Sequence, residues 1–221
     1  DIRIDGAGKK VTRSDNCRVS DLSVSSDNLT FTYEAKSLPY PIDTSYYDNE
    51  KHTQADALSV IPFMDEMNYE GLSVSGLSDG YYGLTIGGEF IGRFTARELE
   101  RGINMALLQN TPQYKQAMKI RQMNEERWLK ERKMREFYWV EYNLMRKTGM
   151  LWACNEAAVD TLRKYRPHDI FLQWNGDLWL QYMHKGIRED CVNEQQDLVN
   201  QIYEQNKPIP LRIEIKKFTD L

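Results

Sequence analysis

Leu211-Arg212-Ile213-Glu214-Ile215-Lys216-Lys217-Phe218 alternates apolar and charged side chains over its first six positions, and its reading decides the fold. Alternation with period two is the signature of a strand with one buried face. A lone strand has nothing to pair with, so a strand here requires a sheet elsewhere in the chain. Just before it, Pro208-Ile209-Pro210 stops a helical pattern over 187–205. The partner expected for the strand is the N-terminal β region, which makes the chain α+β: an N-terminal antiparallel β region, a helical excursion with one long helix, and a C-terminal strand returning to the sheet. The expected segments are 1–95 (β-rich), 96–208 (helical) and 209–221 (closing strand, one C-terminal unit with 1–95).

Upstream, Val19, Leu22 and Val24, then Leu29, Phe31 and Tyr33, flank the polar break Ser25-Ser26-Asp27-Asn28 and predict a hairpin. Leu72 with Val74, Leu84 with Ile86, and Phe90 with Phe94 follow in short runs, separated by Gly76-Leu77-Ser78-Asp79-Gly80 and by Gly87-Gly88. The Gly-Gly pair fits a two-residue hairpin turn, which needs positive φ at both central positions. Residues 36–57, with Leu-Pro-Tyr-Pro and His52, read as a long surface loop.

At Thr95 the period changes. Thr95-Ala96-Arg97-Glu98 matches a capping box and predicts a short helix to Gly102. Thr111-Pro112 starts a second helix, and no Pro or Gly interrupts it until Gly149. That allows roughly 35 residues, about 50 Å of helix. Ile120, Met123, Met134, Phe137 and Leu144 share a row, while Glu126–Lys130 and Glu131–Arg135 are i,i+4 pairs on a solvated face. Shorter helices are expected over 155–165 and 187–205.

The chain of 221 residues is 41% hydrophobic and 28% charged, which sets aside collagen-like, low-complexity and wholly disordered classes. Its net charge of −4 is uneven: residues 1–95 hold 8 basic and 15 acidic side chains, and residues 96–221 hold 21 and 18. Residues 119–135 carry seven basic and three acidic side chains around Trp128, but interleaved glutamates dilute the field that nucleic acid requires, so no nucleic-acid partner is expected. No stretch approaches the ~18 consecutive apolar residues of a membrane span. Cys17, Cys154 and Cys191 stand in no metal or redox spacing and are expected to be small core residues. His52, His168 and His184 form no ligand pair. No Walker A or dinucleotide fingerprint occurs, so neither metal nor cofactor is expected.

Gly76-Leu77-Ser78-Asp79-Gly80 is a formal GxSxG, with His168 and His184 downstream as bases. A nucleophile elbow needs a strand before it and a helix after it, whereas Tyr81 to Ile86 reads as another strand, so a hairpin turn is expected instead. Phe171, Trp174, Trp179 and Tyr182, with Trp152, suit either a stacking surface or a core.

The strings SLPYPID, ALSVIPF, LSVSGLSDGYYGLTIGGEFIGRFTARELERGINMALLQNTPQYKQA, NEERW, REFYWVEYNLM, NEAAVDTLRKY and KPIPLRIEI together resemble the C-terminal region of bacterial SGNH/GDSL-type hydrolases over nearly the whole chain. In that family a flavodoxin-like N-terminal domain carries a serine in a Gly-Asp-Ser block, oxyanion-hole glycine and asparagine, and a late Asp-x-x-His. The chemistry is acyl transfer through an ester on serine. None of those blocks occurs here, and Ser78 does not match the family nucleophile. Asp1 falls where the resemblance places the end of the catalytic domain.

The resemblance implies an accessory region of an ester hydrolase, inactive by itself, partnered by an upstream SGNH domain. It implies an ester or acylated-glycan substrate and a periplasmic or extracellular location. Gly102, Asn104 and Thr111 are the candidate substrate-pocket residues, because a Gly break, an amide and a helix N-terminus together suit an anionic or carbonyl group. Taken singly, Asn104 caps a turn and Thr111 caps a helix. The long helix offers a homo-oligomer contact. Two other readings are a stand-alone carbohydrate- or protein-binding module using 171–182 or the charged helix, and a complete enzyme using Ser78 with His168 or His184.

Overall fold

The strand foreseen at the end of the chain, β9 (Leu211–Lys217), sits in the middle of a five-stranded sheet of order β3-β4-β9-β6-β7. In the computed structural model, which describes residues 1–43 and 53–218, β9 pairs antiparallel with both neighbours. Ile213 stands opposite Phe31 of β4 (Asn28–Ala35) and Ile86 of β6 (Tyr81–Ile86). Leu211, Ile213 and Ile215 are buried while Arg212 and Lys216 are exposed, the one-sided pattern that the alternation demands. The hairpin of β3 (Cys17–Val24) with β4 closes at Val24–Leu29. The hairpin of β6 with β7 (Glu89–Thr95) closes on Gly87 and Gly88 at φ 59° and 85°, values that glycine adopts without steric cost.

A second sheet has the order β2-β1-β5-β8, from β1 (Ile2–Asp5), β2 (Lys10–Ser14), β5 (Gly71–Ser75) and β8 (Ile103–Asn104). Its β1–β5 pair is parallel, with Ile2 opposite Leu72 and Ile4 opposite Val74. In both strands these residues are buried, while Arg3 between Ile2 and Ile4 is exposed and Ser73 between Leu72 and Val74 is half-buried. Ile2, Ile4, Leu72 and Val74 join Phe31, Leu84, Ile86 and Ile213 in one apolar core. The Gly76–Gly80 stretch therefore connects strands of different sheets, β5 to β6, and is not the hairpin turn expected for it.

Helix α1 (Gln54–Ala57) and helix α2 (Phe63–Glu66) are single turns. Helix α3 (Ala96–Arg101) has the capping box in full: Thr95 Oγ1 accepts from Glu98 N–H at 3.1 Å, and Glu98 Oε2 accepts from Thr95 N–H at 2.7 Å. Helix α4 (Pro112–Val140) runs on into a π-helical turn over Glu141–Met145, with Arg146 N–H donating to Glu141 C=O at 2.8 Å. Its middle is laced by Arg127–Glu131, Lys130–Glu126 and Arg132–Glu136 pairs. Helix α5 (Glu156–Tyr165), α6 (Ile170–Tyr182) and α7 (Lys185–Gln205) complete the set.

By packing, the chain divides into a unit of residues 1–121 with 205–221 and a unit of residues 122–204. The second unit has its own core around Phe137, Val140, Leu162, Leu172 and Trp179. At its centre Glu141, 1% exposed, accepts from Trp179 Nε1–H and from the backbone N–H of Trp152, both at 2.8 Å. Those bonds satisfy a buried carboxylate and pin the widened turn. Cys191 is buried and Cys17 half-buried, but Cys154 is exposed, contrary to the core role expected of it, with Sγ 3.3 Å from His184 Nδ1.

Candidate functional site

Ser78 lies between β5 and β6. Its Oγ accepts from Lys217 Nζ at 2.8 Å and contacts the Tyr82 hydroxyl at 3.1 Å. A strand follows it, so the serine lacks the helix N-terminus that an elbow would aim at an oxyanion. His168 is exposed in a short turn after α5, and His184 contacts Cys154. His52, with part of the expected surface loop, lies outside the described residues.

A different group gathers one residue before β5. Glu70 Oε1 accepts from the Tyr33 hydroxyl at 2.7 Å, and its Oε2 accepts from Gln113 Nε2 at 3.2 Å. Tyr33 comes from the buried face of β4, and Gln113, 3% exposed, from the first turn of α4. Burial pushes the Glu70 carboxyl above the usual carboxylate range, while the two donated hydrogen bonds pull it partly back. Burial, and then the Glu70 charge, push the Tyr33 phenol upward as well, so it remains a donor.

Gly102, Asn104 and Thr111 each help to place this group. Gly102, at φ 95°, ends α3 and lets the chain enter β8, which sets Asn104 opposite Gly71. Asn104 Oδ1 then accepts from Glu70 N–H at 2.9 Å and from Ala106 N–H at 3.1 Å, while Nδ2 donates to the carbonyls of Met64 and Asn68. Thr111 is fully buried, and its Oγ1 donates to Leu108 C=O and accepts from Tyr114 N–H, starting the helix that carries Gln113. Asn104 and Thr111 thus hold backbone with their polar atoms.

Tyr33, Asn68, Tyr69 and Glu70 line a cleft of about 180 Å³, joined by Asp15 and Leu38. It suits a small polar or cationic group, with Glu70 as proton donor or acceptor. Gln113 Oε1 is buried without a partner. Turning that amide over would set the oxygen opposite Glu70 Oε2, where it would accept the proton of a neutral carboxylic acid. Among the described residues no group of three His, Cys, Asp or Glu side chains is placed to hold a metal ion. Spacing marks Tyr33 only as a strand residue and does not connect it with Glu70 or Gln113, because Glu70 stands 37 positions from one partner and 43 from the other.

Residues 118–207 match the family described as the diltiazem deacetylase C-terminal helical domain. Over 99% of its length the chain is similar to a solved gut microbial diltiazem-metabolizing enzyme, at 35% identity and a TM-score of 0.92. It spans 49% of that protein's chain. No curated protein matches the sequence.

Proposed function

We propose that the chain is the accessory C-terminal region of an SGNH-type carboxylic ester hydrolase, one that acts on acetyl or similar small acyl esters. The observation that carries the reading is the likeness to a diltiazem-metabolizing enzyme across 99% of this chain but only 49% of that one. In this reading the catalytic serine and histidine belong to a preceding SGNH domain. The Glu70 cleft, with Gly102, Asn104 and Thr111 behind it, shapes the entrance for an ester or acylated-glycan substrate. Location in the periplasm or outside the cell is part of the same proposal.

Hydrolysis of a nitrophenyl acetate by this chain, with Ser78→Ala as control, tests it. The expected result is no turnover above that of a protein blank. Turnover that disappears in Ser78→Ala would overturn the accessory role and make the chain a complete enzyme.

A second reading, a carbohydrate- or protein-binding module, draws on Trp174, which is 67% exposed and meets Phe171 edge-on. Glycan-array binding that is lost in Trp174→Ala would favour it.

A further inference from the structure

The unit of residues 122–204 contains a groove of about 390 Å³, within the size range of small-molecule sites. It opens where α4 passes into the π-helical turn. The buried side chains of Leu144 and Leu172 form its floor, and Trp139 and Tyr165 stand on its walls. Trp139 is held from behind by Phe171, with ring centroids 5.2 Å apart. The extra residue of the π turn rotates Asn143 and Leu144 relative to a continuous α-helix, and Glu141 fixes that rotation through Trp179 and Trp152. The apolar floor is therefore set before any ligand arrives.

The polar groups at the rim divide by whether the protein already uses them. Asn143 Nδ2 donates to Trp139 C=O at 2.9 Å, and Thr148 Oγ1 donates to Leu144 C=O at 3.0 Å. Asp169 caps α6, accepting from Phe171 N–H and Leu172 N–H, so its charge faces helix donors. Lys147 and His168 line the same groove, are exposed, and make no side-chain hydrogen bond or ion pair among the described residues. What is left for a ligand is an apolar slot with the Lys147 amine and the His168 imidazole at its mouth.

We infer that this groove binds a small amphipathic carboxylate, its aryl or alkyl body on Leu144 and Leu172 between Trp139 and Tyr165, its carboxylate at Lys147 and His168. A carboxylic acid is also what ester hydrolysis releases. A role as a product or effector site rests on the proposed function, whereas the binding itself does not.

Calorimetric titration of the whole chain with hydrocinnamate, hydrocinnamyl alcohol and phenylpropylamine tests the inference. The carboxylate is expected to bind, the alcohol about tenfold more weakly and the amine more weakly still, because a charge-assisted hydrogen bond is worth roughly that factor. Lys147→Met, at an exposed position that leaves the core intact, is expected to weaken hydrocinnamate about tenfold and leave the alcohol unchanged. Lys147→Arg should restore the affinity. Absence of carboxylate binding at millimolar concentration, equal binding of the alcohol, or indifference to Lys147→Met would overturn the inference. Failure of these titrations leaves the hydrolase proposal intact, since that proposal is read by turnover.

Discussion

Tyr33 donates its phenolic proton to Glu70 at 2.7 Å, joining the buried face of one sheet to the residue that leads into the other. The pair makes stability depend on pH. Burial is the dominant influence on Glu70 and raises its folded-state pKa above the unfolded value. Between those two values the folded chain holds a proton that the unfolded chain has released, so the contribution is complete below the ordinary carboxylate range and is lost as pH rises through the folded value. Glu70→Gln removes the titration. Urea melts from about pH 5 to about pH 8 should show the variant losing less stability with rising pH than the natural chain. Parallel curves would show that Glu70 is ionised throughout.

Asn104 serves four backbone groups with one amide. Asn104→Ala leaves the Glu70 and Ala106 N–H groups and two carbonyls without that partner, at an expected cost of about 2–4 kcal/mol in urea unfolding. Asn104→Asp keeps both acceptor bonds but sets a carboxylate oxygen against the carbonyls of Met64 and Asn68, so it is expected to destabilise as well.

Glu141 is buried at 1% exposure, and its removal should be felt in the aromatic core of its unit. Glu141→Ala orphans the Trp179 Nε1–H and the Trp152 N–H, with an expected loss of about 3 kcal/mol and a weakened near-ultraviolet circular dichroism signal. Glu141→Gln, which retains an acceptor oxygen, should preserve most of that signal.

Ile213 is fully buried at the centre of the five-stranded sheet. Truncation to Ala should destabilise by about 2–5 kcal/mol. Limited proteolysis gives a second readout: release of residues 209–218 without unfolding of residues 1–95 would show that β9 is dispensable to the sheet.

These elements were unequally legible in the sequence. β9, the Gly87-Gly88 turn and the Thr95 cap are written in local chemistry, and the structure places them where that chemistry puts them. The split into two sheets and the parallel β1–β5 pair depend on pairings between distant segments, which periodicity does not encode. Helix α6 hid behind Gly176 and a run of aromatics that are partly core, such as Trp179, and partly exposed, such as Trp174. At the candidate site, Asn104 and Thr111 were visible as caps. Glu70 was not, because its surroundings are assembled from β4 and α4 only on folding.

The central position of β9 also sets an order of events for a chain emerging from the ribosome. Strands β4 and β6 are complete early, but the strand between them follows more than a hundred residues later, after the whole of the 122–204 unit. Until then, the two edges that β9 will occupy are open to mispairing. Rapid closure of the helical unit on its own core would leave β9 as the remaining piece to be placed. Slower folding of the helical unit would be expressed as aggregation of the sheet.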